Sequence, residues 1–225
     1  MNKQITSTSW LLTAAAVTFW ISWLLMPDPG TTDTTHILSI VKQSRMNVIC
    51  SVTVQIISSV LYVLALFSLT KTGLVQRKIS WIGISLLGIG AMGLCADAFF
   101  HLLAWYMTDS SVTIQEDVIC VMEFMQTSAL IFLVPLLLPL FIGSLLLSIG
   151  LKKQSLTSGK ALYAFIISLF VGPATVIIMK KAFQYEGTGL SMIILGIFAL
   201  GQVFMAIELK KGSALKPRFA LPVIL

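Results

Sequence analysis

Asp97 and His101 stand four residues apart in a run that is otherwise almost wholly apolar. At 100° per residue they share a helical face with Gly83 and Gly90. Ionisable groups in such a run are costly, so they turn toward the inside of a bundle rather than to its periphery. Glu123, in the stripe Glu116, Cys120, Glu123 and Thr127, falls near the same end of the next helix. Consecutive helices usually pack together, which gathers Asp97, His101 and Glu123 into one neighbourhood, with Glu116 and His36 close by.

Three chemistries suit these residues. The plainest is structural: an i, i+4 acid–histidine pair that locks helices together. The second is a site for a small solute or a proton, because histidine ordinarily titrates near neutrality. The third is a divalent metal held by Asp97, His101 and Glu123, with a fourth position open. Against the metal stands the lack of a second histidine within a span and of any HExxH or HxH spacing. No cofactor is evident, and haem held by two histidines is disfavoured because the other histidine, His36, lies in a loop.

A second polar stripe precedes this one. Asn47, Ser51, Gln55, Ser58 and Tyr62 recur every three or four residues on one narrow face. It serves either as interhelical hydrogen-bonding glue or as the lining of a polar cavity. In the second case Asn47 and Gln55 join Asp97, His101 and Glu123 as candidate binding residues.

Other chemistry finds no support. The chain has no GxSxG, Walker A loop, dinucleotide-binding glycine fingerprint or protease metal motif. Cys50, Cys95 and Cys120 form no CxxC pair and no zinc-ligand spacing; a Cys50–Cys120 bridge could form on the outer side. The net charge of +6 arises from residues between apolar segments, without the basic, aromatic-studded stripe of a nucleic-acid binder.

The elements that must position these residues follow from composition. Of 225 residues, 57% are hydrophobic and 11% charged, with a mean hydropathy of +0.95. An ordinary globular chain carries about 25% charged residues. A bilayer accommodates such a sequence and a soluble core does not. Stretches of about 20 apolar residues, enough to cross a bilayer, occur at about 10–26, 47–69, 80–107, 128–150, 160–179 and 189–209. The expected fold is therefore an all-α bundle of six transmembrane helices forming one membrane domain over 1–225, with no soluble domain.

Charge sets its direction. With the N-terminus inside, cytoplasmic segments hold Lys3, then Lys71, Arg77 and Lys78, then Lys152, Lys153 and Lys160, then Lys210, Lys211, Lys216 and Arg218. The outer segments hold only Lys42, Arg45, Lys180 and Lys181, whereas Asp28, Asp33, Asp109, Glu116, Asp117 and Glu186 fall outside. This is the positive-inside pattern, with both termini cytoplasmic. The outer loop 27–46 contains a short surface or re-entrant helix near 36–45. Thr113-Ile-Gln-Glu116 has the form of a capping box, so a helical extension over 113–127 runs into the fourth span, with Pro135 and Pro139 free to bend it. In the fifth span Pro173 is expected to kink the helix.

The function expected first is a carrier, sensor or binding protein for a small solute or proton, with an outward-facing polar site. The alternatives are an accessory subunit that meets a membrane-protein partner or its own copies through glycine faces, and a metal-dependent membrane enzyme. A small chain with short loops fits a bacterial cytoplasmic membrane.

Overall fold

The computed structural model describes residues 2–28, 33–112, 115–183 and 189–215, and among these no strand occurs. The chain forms α1 (Asn2–Leu25), α2 (Thr34–Gln43), α3 (Arg45–Lys71), α4 (Lys78–Met107), α5 (Gln115–Gln126), α6 (Leu130–Lys153), α7 (Lys160–Ile166), a π turn (Ile167–Val171), α8 (Gly172–Phe183) and α9 (Gly189–Leu215). Among the described residues six segments are long and apolar enough to cross a membrane: Gln4–Leu25, Arg45–Lys71, Lys78–Met107, Leu130–Lys153, Lys160–Met179 and Gly189–Gly212.

Local chemistry sets the boundaries. Pro27 follows the last turn of α1, and a residue before proline is disfavoured in the helical region. Asp33 caps α2 by accepting the His36 backbone N–H at 3.0 Å. The turn after α3 holds Gly73 at φ +67°, and Gly159 at φ +98° precedes α7; both conformations favour glycine. Pro173 has no N–H to offer Leu169, and its irregularity takes the form of the π turn just ahead of it.

The helix expected to run on into the fourth span is instead broken at Thr127–Ala129, ahead of both prolines, which sit inside α6. The Thr127 hydroxyl donates to the Glu123 carbonyl at 2.7 Å, the acceptor its own N–H would use in an α-helix. That N–H turns to Phe124 O, as does the N–H of Ala129. This is local side-chain competition with the helix ladder. Thr113 of the expected capping box lies outside the described residues.

The spans pack in chain order as a ring. α1 lies between α3 and α9, α3 packs on α4, α4 on α6, and α7 on α9, with a slighter contact between α6 and α7. The α4–α6 contact is the most intimate. A Cβ added at Gly83 would lie 2.5 Å from Leu147 N, and one at Gly143 would lie 2.5 Å from Leu87 N. Gly90 and Gly93 meet the backbone of Leu140 and Leu136 in the same way. Glycine here lets two backbones touch.

The centre of the ring is filled. Phe198 stacks against Phe19, Phe141 and Phe165, with ring centroids 4.7–5.9 Å apart. Leu87, Leu140 and Leu147 are wholly buried around them. Large apolar side chains such as Phe67, Met92, Phe132 and Phe170 face outward, which suits a lipid environment and not water. α2 and α5 lie across one end of the ring, in contact with each other and with α4.

Candidate functional site

The capped end holds a partly open cavity of about 300 Å³. Its wall is set by the way α4 leaves α6. The two helices touch through their glycines as far as Gly93 and Leu136. Further toward α2 and α5 the same side of α4 presents Asp97, Phe100, His101 and Ala104, opposite Leu130 and Leu133 of α6. Trp23 and Met26 enclose it from α1, and Val48 from α3. The roof is apolar: Ile37, Ile40 and Val41 of α2, with Met122 and Met125 of α5. Methionine suits such a roof because it is flexible and fills irregular space.

Asp97 is 5% exposed. Its Oδ2 accepts a hydrogen bond from Gln55 Nε2 of α3 at 2.6 Å. His101 Nδ1 lies 3.8 Å from the same oxygen, beyond hydrogen-bond length. The imidazole stands edge-on to Trp23, with centroids 6.3 Å apart and planes at 89°. Among the described residues, His101 Nδ1 and Trp23 Nε1 are buried without a hydrogen-bond partner. Native interiors satisfy nearly all such atoms, so the pair is set up but not closed.

Two ion pairs lie at this end of the bundle, one of them on the cavity wall. Asp28, which lines the cavity, receives His36 Nε2 at 2.9 Å. Arg45, at the start of α3, donates to Asp109 Oδ2 at 2.9 Å and to Trp105 O and Thr108 Oγ1 at 3.1 Å. Its guanidinium also lies over the Trp105 ring at 4.3 Å. The Ser111 backbone N–H and hydroxyl, with Arg45 adding to them, hold the Asp109 carboxyl below its usual range.

Beneath the cavity buried polar groups bond to one another and to backbone carbonyls, with the Ser148 hydroxyl of α6 left without a partner among the described residues. The Tyr62 hydroxyl of α3 bonds to Gln202 Oε1 of α9, and Gln202 Nε2 donates to Ser144 Oγ of α6 at 2.9 Å. Ser144 donates in turn to Leu140 O. Ser51 and Ser58 donate to backbone carbonyls of α1 (Ser22 O and Ala15 O), and Ser59 to Ala91 O of α4. The cavity therefore has a closed base.

The structure thus brings together Asp97, His101 and Gln55, while Asn47 and Glu123 lie apart from them. Asn47 is exposed, and its neighbour Val48 faces the cavity instead. Glu123 is exposed, on the side of α5 away from Met122 and Met125. Among the described residues no group of three His, Cys, Asp or Glu side chains could hold a metal ion. Cys50, Cys95 and Cys120 are free, so the Cys50–Cys120 bridge is not formed.

Several cavity residues escaped the reading of the sequence. Met122, Met125 and Gln126 recur at i, i+3 and i+4, a signal that was present and could have marked the inner face of α5. Gln202, the one amide side chain in its span, was equally visible. Trp23 carries no comparable signal. Together the ring and the cavity define a multi-pass helical bundle with a largely apolar pocket at one end, in whose wall Asp97 and His101 stand. The chain matches no protein-family model, no curated protein and no solved structure.

Proposed function

We propose that the protein is a multi-pass component of a bacterial cytoplasmic membrane, with both termini inside, that binds a small solute or a proton from the outer side. The observation that carries this reading is one arrangement. A buried carboxylate, Asp97, faces a cavity of about 300 Å³ at one end of a bundle whose middle is filled. Packing or hydrogen bonding alone explains Ser51, Ser58 and Tyr62, but a partly open space against Asp97 and an unclosed Asp97–His101 pair serve no packing purpose. The size lies at the lower bound of ligand pockets, about 300–1,000 Å³. A filled base favours binding or sensing over conduction through the bundle. The orientation rests on Lys and Arg gathering at the end opposite α2 and α5.

Cysteine labelling in intact cells tests it, in a background with the native cysteines replaced. An impermeant maleimide should modify Ser39→Cys on α2 without permeabilisation, and Lys153→Cys only after it. The reverse pattern would overturn the orientation. Asp97→Asn should remove ligand binding while leaving expression and melting temperature near wild type.

A further inference from the structure

The wall of the cavity carries no permanent positive charge. Its ionisable residues are Asp97, Asp28 and His101, with no Lys or Arg among them. Asp28 is engaged by His36, which leaves Asp97 as the acceptor facing inward. Among the described residues no Lys or Arg side chain lines the cavity beside Asp97. α1 offers Trp23, α5 offers Met122, Met125 and Gln126, and α6 offers Leu130 and Leu133. From α3 come only Val48 and the neutral Gln55 amide, and from α2 only aliphatic side chains. Arg45 is committed to Asp109, Thr108 and the Trp105 carbonyl. From α4 itself comes His101, whose Nδ1 lies 3.8 Å from Asp97 Oδ2, beyond hydrogen-bond length. One neutral amide and a distant imidazole leave this buried carboxyl short of polar partners, which is costly.

The rest of the wall is hydrocarbon, sulfur and aromatic surface. A hard metal ion would need several oxygen ligands that this wall lacks. An organic cation needs one carboxylate, aromatic surface such as Trp23 and Phe100, and apolar room for its body. Resting on the binding role proposed above, we infer that the cavity takes an alkylammonium ion. Its head group sits on Asp97, and its hydrocarbon body lies under α2 and α5.

Isothermal titration of the full-length protein in nanodiscs with n-hexylammonium and its neutral analogue n-hexanol tests this. The ammonium should bind at least about tenfold more tightly than the alcohol, from one added charge contact worth about 1.4 kcal/mol or more. Asp97→Asn should erase that difference and leave n-hexanol binding unchanged. Leu130→Trp, which fills the cavity from α6, should weaken both, and it serves as the deciding variant if Asp97→Asn does not fold. Equal binding of the two probes, indifferent to Asp97→Asn, would overturn the cation while keeping the cavity as a binding site. Binding of n-hexylammonium that survives both variants would place it elsewhere and overturn the inference. Absence of binding by either probe would also overturn it, and the labelling of Ala104→Cys described below then decides whether the pocket reading falls too.

Discussion

Gln55 on α3 donates its side-chain amide to Asp97 on α4 across 2.6 Å, and this one bond joins the two polar stripes. It also makes the two partners unequal. Gln55 can donate equally well to a neutral amide oxygen, whereas Asp97 without Gln55 is a buried carboxylate that has lost its one hydrogen-bonded side-chain donor.

Gln55→Leu should therefore destabilise the protein by about 1–3 kcal/mol, the cost of leaving a buried polar group unsatisfied. Asp97→Asn keeps the shape and an acceptor, and should change stability by less than about 1 kcal/mol. Melting temperatures of the two variants in one detergent check this. Greater loss in Asp97→Asn than in Gln55→Leu would make the pair a structural lock.

The α4–α6 seam yields a sharper contrast between neighbouring glycines. A methyl at Gly90 would run into the backbone of Leu140, which cannot move aside as a side chain can. At Gly88 the nearest atom is a Leu66 side-chain carbon at 3.8 Å, an ordinary contact. Gly90→Ala should cost about 1–3 kcal/mol through overpacking, and Gly88→Ala almost nothing. Thermal unfolding of both variants reads the difference.

The filled base rests partly on Gln202, which holds Tyr62 and Ser144 together. Hydrogen bonds between membrane helices average about 0.6 kcal/mol, with a maximum near 1.7. Tyr62→Phe should cost about that much. Gln202→Leu should cost more, because it strands the buried Tyr62 hydroxyl as well as removing the bond to Ser144. A double-mutant cycle on Tyr62 and Gln202 should return a coupling energy clearly above zero.

Asp109 predicts the pH response of the Arg45 clamp. Its folded carboxyl lies below the unfolded value of about 3.9, held there by the Ser111 N–H and hydroxyl and by Arg45. A lowered folded value means that the stabilisation is complete above the unfolded value and disappears as pH falls through the folded one. The melting-temperature difference between wild type and Asp109→Asn should be constant above about pH 5 and shrink steadily below pH 4. Asp109 is solvent-exposed, so the difference should be small and reduced by salt.

The sequence displays what depends on one helix at a time. The apolar segments are readable because length and hydropathy suffice, and the inward face of α4 because Asp97 and His101 follow Gly83 and Gly90 in helical register. What depends on a neighbour is hidden. The stripe of α3 is intact through Ser51, Gln55, Ser58 and Tyr62, yet Asn47 leaves it, because at that end of α3 Val48 takes the place facing the cavity. Glu123 lies at the right height on the wrong side, since the break at Thr127–Ala129 frees α5 to turn its methionines inward. Periodicity could have raised Gln202 as a candidate, but only the packing of α3, α6 and α9 reveals its partners.

In the proposed orientation the Asp97 cavity opens at the outer end of the bundle and stops at a filled base. The rate at which a small, impermeant, cationic thiol reagent modifies Ala104→Cys in the cavity wall, applied separately from each side of sealed vesicles in a cysteine-free background, measures it directly. Modification from the outer side, slowed at least about tenfold by Leu130→Trp and undetectable from the cytoplasmic side, is the result expected. Modification from the cytoplasmic side, or none from either, would contradict it.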